Sequence, residues 1–169
     1  MKKFYIVSNV SKDYEFKTTK KIVSFLESHN MDCKVNSMPS TQKNVNMRYT
    51  NPEDVDKDTD CIIVIGGDGT LIQAARDLRT LDIPLIGVNM GHLGFLAEIE
   101  QDNLEETLEM IMNNKCKIES RIMLSGSVYR DGKVVYKDIS LNDIVFGRAG
   151  NLRVIDFKIY VNNEYLNLY

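Results

Sequence analysis

The sequence predicts an α/β fold, with an N-terminal parallel α/β sheet domain carrying a glycine-rich phosphate loop and an antiparallel β domain after it. Three observations carry that prediction. Apolar stretches at 4–10, 61–65 and 83–89 alternate with segments of helical period, the pattern of successive βαβ units. The run CIIVI at 61–65 breaks directly into GGDGT at 66–70, a strand-to-helix glycine turn. Beyond residue 117 the pattern becomes short strand-like stretches, joined by Arg130-Asp131-Gly132-Lys133 and Asn162-Asn163 as hairpin turns. Two domains, 1–117 and 118–169, with a cleft between them are therefore expected.

The elements follow in order. Residues 4–10 predict the first strand, and 14–29 place Phe16, Thr19, Ile22, Val23, Phe25 and Leu26 at mostly helical spacing. A short strand is expected at 33–35. Residues 36–58 are polar with two prolines, Pro39 and Pro52, and predict a long mobile surface loop. The run at 61–65 is apolar throughout and mostly β-branched, as in a strand buried on both faces. The helix after it repeats Leu71, Ala74, Ala75 and Leu78 on one face and turns Arg76 and Arg79 toward solvent. A second apolar strand, 83–89, runs into another glycine-punctuated loop, and Leu104, Leu108, Ile111 and Met112 mark a helix over 101–114. Strands are then expected at 123–128, 133–139, 141–146, 154–161 and 164–168.

Composition limits the function. The chain has 169 residues, 43% of them hydrophobic and 27% charged, which is ordinary globular usage and enough to bury a core. A net charge of −3 argues against a broad basic surface for nucleic acid. Apolar stretches fall short of the roughly 18 residues that a membrane-spanning helix needs. Cys33, Cys61 and Cys116 are widely spaced and odd in number, which suits free thiols in a reducing cytoplasm better than disulfides or a metal site.

The glycine turn carries the chemistry. Gly66, Gly67 and Gly69 let a phosphate approach the main chain, and the leading N–H groups of the next helix point at it. Asp68 sits inside that cradle. Like charges repel, so a carboxylate there is a poor phosphate ligand, yet it can act as a base toward a hydroxyl or as a partner for Mg²⁺. The same letters equally suit a plain tight turn with Asp68 or Thr70 capping the helix. A second glycine loop at the end of a neighbouring parallel strand would face the same crevice, where open α/β sheets bind ligands.

The chain resembles the NAD kinases through three segments: GGDGT at 66–70, NMGHLGFLAE at 89–98 and LNDIV at 141–145, in that family's order and at about its spacing. The resemblance covers the chain from about residue 60 onward. It implies phosphoryl transfer from ATP, or in some members inorganic polyphosphate, to the adenosine ribose 2′-hydroxyl of NAD, giving NADP. Asp68 would orient and deprotonate that hydroxyl. Gly66, Gly67, Gly69 and Thr70 would lie along phosphates, with Mg²⁺ bridging the donor's oxygens and no dedicated protein cage for it. Asn142 and Asp143 would meet adenine and ribose, where many members carry Glu at the second position and the shorter Asp must bring its backbone closer. Arg153 corresponds to a position that reaches the dinucleotide. Phe95 would supply an apolar wall and Ile72 would line the same pocket, although plain core packing suits both equally. His92 has no orienting acid in sequence reach and is given no catalytic role.

The protein is accordingly expected to be a cytoplasmic kinase of small-molecule nucleotides, NAD and ATP, without nucleic-acid or membrane partners, and homo-oligomeric when complete. Members of the family carry a further GDG turn and a TPTGSTAY-like segment beyond the point matching Tyr169. Neither occurs here, so the β domain is expected to be incomplete, leaving an exposed apolar face. Two rivals remain: a lipid kinase sharing the glycine-aspartate turn, and a nucleotide-binding fragment without turnover.

Overall fold

Four parallel strands form the centre of the molecule in the order β2-β1-β3-β4, where β1 is Lys3–Asn9, β2 Asp32–Met38, β3 Cys61–Gly66 and β4 Leu85–Asn89. The computed structural model describes residues 1–38, 50–91, 94–147 and 154–169. Successive side chains on a strand point to opposite faces, and the two central strands are apolar on both. One face of the sheet presents Phe4, Ile6, Ile63, Ile65 and Val88, packed against Ile22 and Leu26 of helix α1 (Lys17–Ser28) and against Leu104, Leu108 and Ile111 of a second helix. That helix is Leu104–Met112. The other face presents Tyr5, Val7, Ile62 and Val64 to Leu71, Ala74 and Leu78. Leu71 and Ala74 lie on Asp68–Asp77 and Leu78 is its C-cap, so in chain order the helices are α1, α2 (Asp68–Asp77) and α3 (Leu104–Met112). The result is a three-layer α/β/α body, as the alternation of strand and helix patterns predicts.

The order of the strands has a functional consequence. From β1 the chain moves outward to β2, and from β3 it moves outward the other way to β4, so the topology reverses between β1 and β3. Ligand crevices in open α/β sheets lie beyond the carboxyl ends of the strands at that reversal. Ser8 pairs with Ile65 across it, which puts the exit of β1 beside the glycine turn at the exit of β3.

The antiparallel part consists of two hairpins. Strands β5 (Leu124–Arg130) and β6 (Lys133–Ser140) pair through the turn at Asp131-Gly132, and β7 (Lys158–Val161) pairs with β8 (Glu164–Leu168) through Asn162-Asn163. Asp131, Gly132, Asn162 and Asn163 all have positive φ, the backbone such tight turns require. Many apolar side chains of the hairpins remain exposed, among them Val134, Tyr160 and Leu166.

Several sequence expectations are corrected. Residues 141–146 form no strand. Ser140 Oγ donates to the Asp143 carbonyl at 2.5 Å, and Asn142 Nδ2 donates to Asp143 Oδ2 at 3.1 Å, so side chains engage the local polar groups that a ladder would use. The strand expected at 154–161 is confined to its last four residues, Lys158–Val161. β2 extends well past 33–35, because an edge strand needs only half its residues apolar. The helix expected over 101–114 is a 3-10 turn, Gln101–Asn103, followed by α3. The loop expected at 36–58 is docked at its far end: Thr50 is buried, its N–H donates to Asp77 Oδ2 at 3.2 Å, Asn51 caps a 3-10 turn over Pro52–Asp54, and Val55 joins the core. Residues 39–49 lie outside the described residues.

Arg76, expected in solvent, pairs instead with Asp138 of β6 and so ties α2 to the first hairpin. Tyr136 Oη donates to Asp138 at 2.7 Å and the Ile139 N–H at 2.8 Å, so the carboxylate is well held even without the arginine. Arg76→Gln should therefore cost only about 0.5–1.5 kcal/mol in chemical denaturation. Its larger effect should be faster amide exchange in β5 and β6 than in β1 and β3. Equal acceleration across both sheets would show that the pair does not hold the hairpin to α2.

Candidate active site

β3 ends at Gly66 because the chain must pass the first turn of α2 at very short range. A Cβ built on Gly66 would lie 2.6 Å from Thr70 Cβ and 2.8 Å from Thr70 Cγ2, closer than side chains pack. Gly67 is the N-cap of α2 in extended conformation, and its carbonyl accepts the N–H groups of Thr70 at 2.9 Å and Leu71 at 3.1 Å. Among the described residues, the N–H groups of Asp68 and Gly69 have no acceptor, as the start of a helix leaves them. Gly69 is exposed, so this donor pair faces solvent at the mouth of the β1/β3 crevice.

Asp68 is gripped by the second glycine loop. Its Oδ2 accepts the Phe95 N–H at 2.8 Å, and its Oδ1 accepts the N–H groups of Leu96 and Ala97, both at 3.1 Å. The loop itself is braced on β4. Met90 N–H donates to the Gly66 carbonyl at 2.7 Å, and Ile99 forms a parallel bridge with Val88, exchanging bonds of 2.8 and 3.0 Å with Asn89 and Gly87. Gly87 is required there, since a Cβ would come within 2.9 Å of the Ala97 Cα. Gly94 is required at the tip, where a Cβ would lie 2.5 Å from the Asp68 Cγ and Oδ2.

The grip fixes the charge of Asp68. The N–H groups of Phe95 and Ala97 hold its carboxyl below the usual range; burial opposes them, and the Leu96 N–H and the nearby Lys12 ammonium add smaller lowering effects. A carboxylate whose folded pKa is depressed stabilises the loop at every pH above its unfolded value of about 3.9 and loses that contribution as pH falls through the folded one. The amide resonances of Phe95, Leu96 and Ala97 should therefore titrate together, with a midpoint below about 3.9. A midpoint above that value, or three unrelated titrations, would contradict the three-bond grip.

The other residues singled out by sequence divide into three groups. Thr70 is buried, and its Oγ1 accepts from Asn9 Nδ2 at 3.0 Å, so it joins the turn to the exit of β1. Ile72 is half-buried on α2, and the Phe95 ring is 97% exposed although its N–H is engaged by Asp68. Asn142 and Asp143 bond to each other and, among the described residues, make no hydrogen bond or ion pair with the glycine turn. Arg153 and His92 lie outside the described residues. Sequence reasoning missed Asn9 and Lys12, which the strand order brings to the turn. Polar residues directly after the first strand were the available signal, but it acquires meaning only once β1 is known to lie beside β3.

Elsewhere a cleft of about 900 Å³ is lined by Leu78, Ile83, Leu85, Met110, Ile118 and Arg121 among others, along the outer edge of β4. Asp68 and the glycines of the turn do not line it, although Leu71 of α2 and Leu96 of the gripping loop do. The Cys61 thiol is pushed up to about 12, chiefly by burial, and is correspondingly unreactive. All three cysteines are free, and no group of three or more His, Cys, Asp or Glu among the described residues could hold a metal ion. No helix among them is long and apolar enough to cross a membrane.

Known proteins resemble this chain in sequence and in fold. The profile of the ATP-NAD kinase N-terminal domain matches residues 5–116, which includes the glycine turn and the loop that grips Asp68. NAD kinases of Lachnospira eligens and Agathobacter rectalis are 46% and 41% identical over the whole chain, which spans 58% of the length of each. Among solved structures, yeast NADH kinase complexed with NADH superposes with a TM-score of 0.72 at 18% identity, covering 99% of this chain and 55% of that one. An Archaeoglobus fulgidus NAD kinase in complex with ATP gives 0.50 at 18% identity, covering 74% and 40%. Those two likenesses concern the fold, whereas the profile match takes in most of the chain together with the turn around Asp68, and on that ground the chain belongs to the NAD kinase family.

Proposed function

We propose that the protein carrying this sequence transfers the terminal phosphate of ATP to the 2′-hydroxyl of the adenosine ribose of NAD, giving NADP and ADP. The observation that carries the reading is an ionised Asp68 held rigidly between two glycine loops at the reversal of the sheet, in a family of NAD kinases. The ribose oxygen attacks the γ-phosphorus, the bond from that phosphorus to the β-bridging oxygen breaks, and ADP leaves with the electron pair. The hydroxyl proton passes to Asp68. Transfer of this kind depends mainly on alignment and charge neutralisation, so a carboxylate of low pKa suffices as long as its position is fixed. Asp68 oxygens accept three N–H bonds and retain lone-pair capacity for the substrate hydroxyl.

Mg²⁺ would enter with the donor. Asp68 would be the side chain to touch its hydration shell, the rest of its coordination coming from phosphate and water. When bound, the ion neutralises charge on the transferred phosphoryl group. Asn142, Asp143 and Arg153 are proposed for the dinucleotide, Phe95 and Ile72 for its apolar contacts. Residues 1–117 are proposed as the nucleotide-binding domain and 118–169 as part of the β domain. A cytoplasmic site of action and a homo-oligomer complete the reading, the exposed apolar faces of the hairpins supplying area for association.

The test is acceptor choice. Incubated with ATP and Mg²⁺, the protein should convert NAD to a product that an NADP-dependent dehydrogenase accepts, and should leave sphingoid bases and diacylglycerol untouched. Phosphorylation of either lipid without NADP formation would establish the lipid-kinase alternative.

A further inference from the structure

The loop leaving β1 is as firmly built as the glycine turn it faces. Asn9 carbonyl accepts the N–H groups of Lys12 and Asp13, both at 2.9 Å, while Asn9 Oδ1 accepts the Ser11 N–H at 3.1 Å. Asp13 is 1% exposed, and its carboxylate accepts from Thr18 N at 2.9 Å, Thr19 N at 2.9 Å, Thr19 Oγ1 at 2.5 Å and Ser8 Oγ at 3.3 Å. Asn9 Nδ2 then bonds Thr70, so this loop and the turn form one piece. Lys12 lies between these braces, its N–H held by the Asn9 carbonyl and its exposed side chain directed one way.

That way is across Gly67. The Lys12 Nζ lies 2.8 Å from the position a Cβ on Gly67 would take, so the absence of a side chain there is what admits the ammonium. It has no carboxylate within ion-pair distance and no hydrogen-bond acceptor among the described residues, unlike Lys3, Lys21 and Lys34, which each have an acidic partner. Its charge nevertheless reaches Asp68. A cation aimed at a cradle of free N–H groups, with a carboxylate beside it but not paired to it, completes a site for a phosphoanhydride chain.

We propose that Lys12 binds the donor's phosphate chain at the Gly67 turn and orients its terminal phosphate for transfer. The inference rests on the phosphoryl-transfer reading and adds to it a residue in the loop leaving β1, outside the three motifs that suggested the reading. The chemistry recognised is a phosphoanhydride chain, whether in a nucleoside triphosphate or in inorganic polyphosphate. Lys12 neutralises one oxygen of the terminal phosphate over Gly67 without pairing to Asp68, leaving the carboxylate free for the acceptor hydroxyl. No bond to Lys12 is made or broken.

The test is calorimetric titration of the 169-residue protein, as wild type, Lys12→Gln and Lys12→Arg, with inorganic tripolyphosphate, ATP and NAD separately. Lys12→Gln should weaken tripolyphosphate and ATP by about tenfold, the worth of one charge-assisted hydrogen bond, and NAD by less than about twofold. Lys12→Arg should recover donor binding to within about threefold of wild type. Lys21→Gln, which removes a lysine of equal charge paired to Glu105, should leave every titration unchanged. Donor binding indifferent to Lys12→Gln, or NAD weakened as much as ATP, overturns the assignment of Lys12 while leaving the function standing. Wild type that binds neither donor nor NAD overturns the phosphoryl-transfer reading itself, and Lys12 with it.

Discussion

Asp68→Asn should lower kcat for NAD phosphorylation by about 10²-fold or more while the Kd for NAD moves by less than about tenfold. The amide occupies the same volume and keeps one oxygen, which can still serve Leu96 and Ala97. Its NH₂ then faces the Phe95 N–H, donor against donor, where the carboxylate accepts at 2.8 Å. The loop shifts slightly, so binding weakens somewhat. The proton acceptor disappears altogether, so turnover suffers far more. Near-normal kcat with NAD binding intact would remove Asp68 from the role of base and leave it as a brace for the loop.

Gly94→Ala should reproduce most of that loss without touching any group that reacts. A Cβ at Gly94 would lie 2.5 Å from two atoms of the Asp68 carboxyl, which is held by three N–H bonds and has nowhere to retreat without breaking them. A displacement of roughly an ångström in a positioned catalytic group costs on the order of 10²-fold. We expect kcat to fall by about 30- to 100-fold, with the melting transition little changed because Gly94 lies at a loop tip outside both core clusters. The Asp68 titration should move up toward the ordinary carboxylate range as its N–H partners are lost. Full activity in Gly94→Ala would mean that the loop is free to move away and that the grip on Asp68 has no part in turnover. The pair of variants separates the chemical role of the carboxylate from its placement.

How much of this was legible in the sequence varies with how local the cause is. Cys61–Gly66 and the turn after it could be read because a continuous apolar run, three glycines and an immediate helical period are all local signals, and the structure places strand, turn and helix as expected. The hairpins were legible for the same reason, since Asp131-Gly132 and Asn162-Asn163 favour positive φ on their own account. Residues 141–146 misled because LNDIVF has strand composition. Strand composition yields a strand only where an edge is available, and Asn142, Asp143 and Ser140 find closer partners in one another. Arg76 misled because its solvent-facing position on α2 is covered by a hairpin more than 50 residues away in sequence, at Asp138. The site shows the same division. Gly66, Gly67, Asp68 and Gly69 by themselves suit a phosphate turn and a plain capped turn equally, and the grip of Phe95, Leu96 and Ala97 on Asp68 is a contact between two loops that only the β3–β4 pairing brings together. Lys12 is further removed still, because its meaning depends on β1 lying next to β3.

The central claim is that nucleotides bind at the β1/β3 crevice, between the glycine turn and the loop that grips Asp68. The most direct measurement is a backbone amide titration of the 169-residue protein, isotopically labelled and mixed first with NAD and then with ATP and Mg²⁺. The account predicts that the largest shifts fall on residues 66–70 and 94–97, with Lys12 responding to the ATP step, while the β4 edge cleft around Ile83 and Ile118 stays unchanged. Shifts concentrated along that cleft, with Asp68 and Gly69 unmoved by either nucleotide, would contradict it.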